Sequence, residues 1–445
     1  MTCARPAKRP AWRTARAACS LRSLPLLGAL LFHPLQPASG AEVTAPTPLP
    51  TVAAQAAGFS PQRLDALHRL IGREVDAGRY SGYIALLARG GKIVDWRAHG
   101  WQNIDSRTPL RTDSIVRIFS MSKIVTTVSI LVLLEDGRLK LDDPVERYLP
   151  ALKDRQVAVG GTPDAPLLEP AKRAVTIRDL LTHTSGYSYG DPGSADDVPS
   201  VLMQRAKMWE AANLDEFVAR LAPVPLNEQP GTRFRYGVST DILGAVVEKA
   251  SGQRFDAFLR ERIFGPLRMV DTGFWVPASK LARVATIYER DPQGKLVPSG
   301  WANITGAGPD HGILSGGGGL YSTAADYLRF AQMLLNGGQL DGVRILGRKT
   351  VALMTSNHLK HLADPHPSGE PSQGFGFGVR VLNDPGEGFT LGSPGAFGWE
   401  GLATTFVQID PKERTVALLL LQHLPGNQDD IISTFTNGYY AALVD

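Results

Sequence analysis

Short apolar runs typical of β-strands stand near both ends of this 445-residue chain, and helical patterns fill the middle. The predicted strands cover residues 83–88, 93–96, 403–409 and 416–421. Gly90-Gly91 separates the first two runs and residues 410–414 separate the last two, so each pair is expected to form a hairpin. Strands at both ends with helices between them predict a discontinuous α/β (α+β) domain interrupted by a helical one.

The helical patterns occupy much of the remaining chain and set the expected domain boundaries. They cover residues 61–75, 124–134, 177–181, 214–221, 242–250, 324–335 and 431–443. The first pattern follows Ser60-Pro61, a pair typical of a helix N-terminus. We expect an α/β part at about 59–138 and 385–445, a helical part at about 139–384, and a linker rich in Ala, Pro and Thr at 42–58.

The first 41 residues have the order of a secretory signal peptide. Basic residues and no acidic ones come first, followed by an apolar run at 24–32 and small residues at 38–41. The apolar run is too short to span a bilayer, and the alternative is a disordered basic tail. We therefore expect residues 1–41 to be removed from an exported protein, periplasmic or secreted, which keeps no stable membrane span.

Removal of this leader changes the electrostatic character of the chain. Lys plus Arg falls from 47 to 41 while Asp plus Glu stays at 43, so the formal net charge changes from +4 to −2. The basic character belongs to the leader, and the remainder gives no reason to expect a nucleic-acid partner. Both cysteines, Cys3 and Cys19, also lie in the leader, so the remaining chain needs no disulfide.

A serine and a lysine stand three residues apart in Ser120-Met121-Ser122-Lys123, the only Ser-x-x-Lys spacing after the leader. If a helix starts near Ser120, the two side chains lie on one face, and the amine can reach the hydroxyl. A serine hydroxyl needs a base to act as a nucleophile, and a lysine in an apolar setting can serve. A helix N-terminus also offers free N–H groups to an oxyanion. Alone, the motif is equally consistent with an ordinary helix cap.

Two further segments are candidates for the same site. Tyr236 stands just before a predicted helix, so its hydroxyl could project into a cleft, although a packed aromatic ring is the simpler interpretation. Residues 397–402 place glycines at the edge of a predicted strand, where backbone N–H groups can approach a ligand.

In this order, the segments resemble the serine β-lactamases, penicillin-binding proteins and related esterases. Three more stretches resemble the class C β-lactamase and family VIII esterase branch: Leu180 to Gly186, Gly316 to Asp326, and Ser239 to Gly244. The resemblance covers roughly residues 60–440. It implies a β-lactamase-like fold, in which an antiparallel sheet is flanked by helices and carries an inserted all-helical domain.

The resemblance also implies a role for each candidate. Ser120 is the nucleophile that becomes acylated, Lys123 is its base, and Tyr236 handles the proton shared with the leaving group. The backbone N–H groups of Ser120 and Leu402 form the oxyanion hole. No cofactor and no metal is implied, and the substrate is a small ester or amide.

Two departures from the family pattern bear on the substrate. Trp399-Glu400-Gly401 stands where lactamases carry Lys-Thr-Gly, and Val238 stands where many members carry Asn. The usual lysine presents a cation to a substrate carboxylate, whereas Glu400 would repel one. We therefore expect short neutral esters to be better substrates than anionic β-lactams, unless Arg233 or Arg235 points into the cleft.

Two other functions remain open at this point. The enzyme alternative is a β-lactamase or a D-amino-acid peptidase. The alternative from another class is a non-catalytic module that binds cell-wall fragments, although such a module would not need Ser120, Lys123 and Tyr236 together.

Three patterns suggest other chemistry and are not favoured. Gly186 to Gly190 spells Gly-x-Ser-x-Gly around Ser188, but a nucleophile elbow needs a preceding strand and a following helix. The glycines at 316–319 lack the Lys-Ser or Lys-Thr that completes a phosphate-binding loop. A set of possible metal ligands lies in a proline-containing segment that is expected to be a solvated loop: His358, His361, Asp364 and His366.

Overall fold

The computed structural model describes residues 48–190, 197–300, 312–367 and 370–445. The predicted signal peptide and the start of the predicted linker lie outside these residues. Within them, no helix is both long enough and apolar enough to cross a bilayer.

An eight-stranded antiparallel sheet forms the centre of the described chain. Its strands are β1 Gly82–Arg89, β2 Lys92–Asn103, β3 Thr108–Pro109, β12 Gln373–Phe375, β13 Arg380–Leu382, β14 Phe397–Gly401, β15 Thr405–Asp410 and β16 Thr415–Leu420. They lie in the order β12-β13-β14-β15-β16-β1-β2-β3. Both predicted hairpins are present, as β1-β2 and β15-β16. Because β1 also pairs with β16, residues more than 300 positions apart in the chain lie side by side.

Most of the helices match the predicted patterns, whereas those at 198–206, 255–259 and 348–354 were not predicted. They are α1 Pro61–Asp76, α2 Ser122–Glu135, α3 Ile177–Leu181, α4 Val198–Ala206, α5 Leu214–Leu221, α6 Ser239–Ser251, α7 Phe255–Leu259, α8 Ala324–Leu335, α9 Arg348–Met354 and α10 Ile431–Ala441. At the start of α1 the Ser60 side chain accepts a hydrogen bond from the Arg63 N–H, as its N-cap position predicts. Helix α2 is buried around almost its whole circumference, which explains why its sequence lacks a polar face.

Helices cover both faces of the sheet, so its central strands are apolar on both sides. Along β16, Ala417 and Leu419 pack in a cluster with α1 and α10, while Leu418 and Leu420 pack in the larger cluster on the other face. This alternation follows from the two-residue period of a strand. The continuous apolar runs in the sequence therefore mark strands that are buried on both faces.

The predicted all-helical part of the chain also contains strands, which is a correction. Short strands occur there at β5 Gln156–Thr162, β6 Ala165–Pro170, β7 Tyr288–Arg290, β8 Leu296–Pro298, β9 Tyr321–Ser322, β10 Gln339–Leu340 and β11 Val343–Arg344. Strand β4, Val116–Arg117, pairs with β9, and strand β17, His423–Leu424, pairs with β7. Strands β12 and β13 even belong to the main sheet, so the predicted boundary at 384/385 falls too late. The described residues belong to one compact unit.

The predicted linker at 42–58 is packed against the sheet where the structure describes it. Leu49 is buried, and the Val52 N–H donates to the Ile93 carbonyl oxygen at 2.9 Å. Ala54–Ala57 forms a short 3₁₀ helix. The composition of this segment, rich in Ala, Pro and Thr, predicted a linker, but its few apolar residues are enough to attach it to β2.

Candidate active site

Ser120 lies in a tight turn between strand β4 and helix α2. The turn, Phe119–Met121, is a single turn of 3₁₀ helix, and α2 begins directly after it at Ser122. Phe119 has a φ of 42°, in the left-handed region that non-glycine residues seldom occupy, at a cost of about 1–3 kcal/mol. Ser120 remains partly exposed at the start of the helix, so its hydroxyl is open to a ligand.

Lys123 is completely buried, and its amine lies beside the Ser120 hydroxyl. The distance from Lys123 Nζ to Ser120 Oγ is 3.1 Å. The same nitrogen lies 2.8 Å from the Tyr189 hydroxyl oxygen and 2.7 Å from the Gly317 carbonyl oxygen. These three contacts can take the three N–H groups of an ammonium. Among the described residues, no carboxylate forms an ion pair with this amine.

Tyr236 and Trp399 come together at the site although 163 positions separate them in the chain. The Tyr236 ring lies 4.7 Å from Lys123 Nζ, and its hydroxyl oxygen accepts a hydrogen bond from Trp399 Nε1 at 3.2 Å. The two rings also pack at 5.4 Å between centroids. Trp399 thus has both a polar contact and a ring contact with Tyr236.

Tyr189 is a contact of Lys123 that the sequence analysis missed. Its ring packs edge-on against Tyr236, 5.5 Å between centroids. Burial raises the pKa of the Tyr189 phenol well above its usual value, and the nearby Asp241 adds to this, so Tyr189 stays protonated at neutral pH. Tyr189 belongs to the Gly-x-Ser-x-Gly stretch, in which the motif indicated only the serine as a candidate.

A second missed residue is Asp241, on the first turn of α6. Its side chain is fully buried, and Oδ1 accepts hydrogen bonds from the Gly317 N–H at 3.0 Å and from the Ser315 hydroxyl at 2.5 Å. Burial raises the pKa of this carboxyl, while the charge of Lys123 acts in the opposite direction. In the sequence, Asp241 was part of the stretch from Ser239 to Gly244 that resembles the family, and no role was predicted for it.

His183 completes the buried surroundings of the site. Its ring lies 5.0 Å from the Tyr236 ring, and it has no exposed surface. Burial, together with the charge of Lys123, lowers the pKa of this imidazole well below its usual value, so His183 is neutral. His183 therefore packs beside Tyr236 and adds no charge to the site.

The end of strand β14 runs beside the turn that holds Ser120. A Cβ atom on Gly401 would lie 2.4 Å from the Ile118 carbonyl oxygen, so only glycine fits at this approach. The Thr405 hydroxyl donates to the same oxygen at 3.1 Å. Leu402 follows β14 directly and its side chain is half-exposed. The two backbone segments that were predicted to supply the oxyanion hole are thus neighbours.

Glu400 lies on the opposite face of the sheet from Trp399, because successive strand residues point to opposite sides. It is opposite Phe406 in the α1–α10 cluster, whereas Trp399 is opposite Val407 in the larger cluster. Glu400 Oε1 lies 3.8 Å from Arg380 Nη1, and both side chains line a cavity of about 360 Å³ on that face. The expectation that Glu400 repels a substrate carboxylate is therefore wrong.

Val238, Arg233 and Arg235 are the other residues that the sequence analysis considered for contact with the substrate. Val238 is fully buried in the main core just before α6, so its side chain is not open to a substrate. Arg235 is held by Glu228, whose two carboxylate oxygens each lie 2.7 Å from Arg235 Nε. Arg233 is exposed.

The structure gives a packing role to residues from each of the three patterns that suggested other chemistry. Ser188 is buried, with its hydroxyl 3.8 Å from the Met203 sulfur. His358 stacks on Phe377 at 4.1 Å, so it is less solvated than predicted, and the described residues contain no group of three or more candidate metal ligands. The glycines at 316–319 allow close contacts, since a Cβ on Gly316 would lie 2.6 Å from the Thr240 carbonyl oxygen.

Known proteins similar to this chain include two sequence relatives and one solved structure. An uncharacterized protein of Mycobacterium tuberculosis is 38% identical over 367 residues, covering 79% of this chain and 88% of the relative. Esterase EstB of Burkholderia gladioli is 32% identical over 357 residues, covering 76% and 84%. The solved structure of simvastatin synthase (LovD) from Aspergillus terreus is similar with a TM-score of 0.73 at 26% identity, covering 86% of this chain and 99% of that one.

The family itself is shown by a match over most of the chain. The family described as Beta-lactamase matches residues 67–436, from within α1 to within α10. This match and the structural similarity confirm the predicted resemblance and the predicted fold, an antiparallel sheet with flanking helices. The chain belongs to the Beta-lactamase family of serine hydrolases.

Proposed function

We propose that this protein hydrolyses short neutral carboxylic esters through an acyl intermediate on Ser120. The observation that carries the proposal is the 3.1 Å contact between Ser120 Oγ and the fully buried amine of Lys123. A base within hydrogen-bond reach is the first requirement for an activated serine. The similarity to an esterase, EstB, supports the choice of ester over other acyl compounds.

In the first half of the reaction, the neutral form of Lys123 takes the Ser120 proton as Oγ attacks the ester carbonyl carbon. The carbonyl oxygen becomes an oxyanion, which the N–H groups of Ser120 and Leu402 would stabilise. Tyr236 gives a proton to the departing alkoxide as the carbon–oxygen bond breaks. Because the Tyr236 oxygen accepts a hydrogen bond from Trp399, its own O–H is free to make that donation.

In the second half, water replaces the alcohol. Water gives a proton to the Tyr236 oxygen that lost one in the first half, and it attacks the acyl carbon. The carboxylic acid leaves as Ser120 regains its proton from Lys123. The cycle needs no cofactor, because Ser120, Lys123 and Tyr236 all return to the protonation states in which they started.

The preference for neutral substrates rests on three positions near the site at which a positive charge is either missing or already engaged by other groups. Trp399 stands where related lactamases carry a cation, and Arg235 is already paired with Glu228. Lys123 is enclosed by its three contacts. A substrate carboxylate would lose its hydration here without an arginine or lysine among these residues to replace it. A neutral ester avoids this cost, and the Trp399 ring offers it an apolar surface.

The test is a parallel assay of purified protein on a short-chain chromogenic ester, a chromogenic cephalosporin and a D-Ala-D-Ala peptide. We expect the ester to have the highest kcat/KM and Ser120→Ala to lose turnover of it. Ser188→Ala is the matched control and should keep most of the activity. A kcat/KM for the cephalosporin or the peptide equal to or above that for the ester would contradict the proposal.

A further inference from the structure

An aromatic row of three rings, Trp209, Tyr189 and Tyr236, runs from the surface to the buried amine of Lys123. The Trp209 indole stacks on Tyr189, 6.1 Å between centroids and 27° between planes, and the Tyr189 hydroxyl oxygen lies 2.8 Å from Lys123 Nζ. We propose that Trp209 is a specificity-determining residue, whose exposed indole holds an aromatic group of the ester while Ser120 attacks the carbonyl carbon. This inference rests on the proposed function and deepens it, because it names aromatic esters as the preferred neutral substrates.

Exposure alone would not assign a role to Trp209, since single exposed apolar residues are common on protein surfaces. Its neighbours point to one. The Tyr189 ring packs on Tyr236 at 5.5 Å between centroids, and these two rings lie 5.2 and 4.7 Å from Lys123 Nζ. Trp209, which is 48% exposed, is the outer end of the row. A substrate group that extends from Ser120 along the aromatic row therefore ends on Trp209.

The backbone that carries Trp209 is fixed against helix α5. The residues Met208–Glu210 form one turn of 3₁₀ helix, and Arg220 of α5 donates to the Lys207 carbonyl oxygen just before this turn at 2.8 Å. The indole also packs against the buried ring of Phe217 in α5, 5.7 Å between centroids. Because the indole is held in place before a ligand arrives, little conformational entropy is lost when a ligand binds.

The chemistry of the aromatic row favours a neutral ring over an alkyl group of similar size. Stacked and edge-on ring pairs attract each other by more than the apolar area that they bury. The charged residues on either side of Trp209, Lys207 and Glu210, lie 3.4 Å apart and pair with each other. They therefore add no net charge beside the indole, and an uncharged aryl group is the ligand that this surface fits.

The test compares aromatic esters with saturated esters of the same size, in two pairs that vary the acyl and the alcohol part. The pairs are ethyl benzoate with ethyl cyclohexanecarboxylate, and benzyl acetate with cyclohexylmethyl acetate. Differences in intrinsic reactivity cancel when the aromatic-to-saturated ratio of kcat/KM is compared between proteins. We expect Trp209→Ala to lower this ratio in at least one pair by about 2- to 10-fold, the range for a single ring contact.

Two variants serve as controls for this ratio. Trp209→Phe keeps an aromatic ring and should keep most of the wild-type ratio. Trp101→Ala removes a tryptophan of strand β2 that is exposed to a similar degree, 42%, and it should leave the ratio unchanged. If Trp209→Ala does not fold, Trp209→Leu takes its place, because leucine keeps an apolar contact with Phe217 and lacks the ring.

Binding to an inactive protein gives a second measure that does not require turnover. Isothermal titration calorimetry compares the aromatic esters on Ser120→Ala and on the double variant Ser120→Ala/Trp209→Ala. We expect the double variant to bind at least one of them about 2- to 10-fold more weakly.

The outcomes separate this inference from the proposed function. Equal ratios in the wild type and the Trp209 variant would overturn the role of Trp209, even if all the rates fell together, because a uniform fall indicates a structural role only. Retained turnover in Ser120→Ala would instead overturn the proposed function, while the ratios still decide the role of Trp209. If the wild type hydrolyses no ester, the affinities decide that role, and equal affinities overturn it.

Discussion

A buried lysine amine is costly unless its hydrogens find partners, and Lys123 has a hydroxyl, a phenol and a backbone carbonyl for its three. The Ser-x-x-Lys spacing predicted the first of these contacts, because both residues lie on the opening turn of one helical segment. It could not predict Tyr189 or Gly317, which come from loops 66 and 194 positions away from the lysine. Such contacts depend on the tertiary fold alone.

Glu400 and Trp399 are the opposite case, because the sequence alone could have predicted that their side chains lie on different faces of a strand. Adjacent residues on a strand point to opposite faces, so Trp399 and Glu400 could not both face one cleft. The strand predicted at 403–409 corresponds to β15, and the preceding strand β14, Phe397–Gly401, was not predicted. Because the segment was treated as a strand edge, the alternation was missed, and with it the correct face for Glu400.

Tyr236 gives a direct test of the residue-scale account. Tyr236→Phe removes only the hydroxyl that Trp399 contacts and that we propose as proton donor, so the ring packing is kept. We expect kcat for the ester to fall by about 100-fold or more, in the range of general acid catalysis, with a modest loss of thermal stability because the buried Trp399 N–H loses its acceptor. A Tyr236→Phe enzyme with near-normal kcat would mean that Tyr236 is only a packed aromatic residue.

At the scale of elements, the site is assembled from the starts of two helices and the end of one strand. Helices α2 and α6 pack against each other, and the segment after residue 315 runs beside β4, since the Ile118 N–H donates to the Leu320 carbonyl oxygen at 3.0 Å. Seven of the described helices were predictable from their apolar residues, whereas α4, α7 and α9 were not. Strands of two or three residues, such as β9 and β12, carry no period that a sequence could reveal.

Helix α1 offers an element-scale prediction outside the site. Ser60 caps this helix through its hydroxyl, and Pro61 occupies the first turn. Ser60→Ala should lower the free energy of unfolding by about 1 kcal/mol, the usual loss for an N-cap, and leave kcat/KM unchanged. Urea denaturation measures this change, and Ser60→Asp is the control that retains a capping oxygen. Equal stability of Ser60→Ala and the wild type would show that the cap contributes nothing.

At the scale of the whole molecule, the sheet joins residues 82–109 to residues 373–420, and the residues between them supply the rest of the site. The antiparallel sheet with flanking helices was predictable from the two terminal hairpins and the resemblance. The mixed character of the insertion was not, because β7 to β11 are strands of two or three residues, and β5 and β6 are mostly exposed and lack a clear apolar period.

The buried carboxyl of Asp326 predicts how the stability of the whole fold varies with pH. Burial raises its pKa to about 6 from an ordinary value of 3.8. The folded state therefore holds this proton more tightly than the unfolded chain, so Asp326 contributes stability below about pH 4 that is lost as the pH rises through about 6. We expect the stability of Asp326→Asn relative to wild type to rise by on the order of 2–3 kcal/mol between pH 4 and 7. Urea unfolding across this range measures the difference, and a constant difference would contradict the expectation.

The central claim is that Ser120 carries the acyl group, and mass spectrometry after rapid quenching with a slowly hydrolysed ester tests it most directly. We predict that the wild-type protein gains the mass of one acyl group, and that peptide mapping locates it on Ser120. The Ser120→Ala protein should gain none, and the Lys123→Ala protein should gain it more slowly by roughly 100- to 10,000-fold. An acyl group found on Ser188, or an acyl group that still forms in Ser120→Ala, would contradict the account.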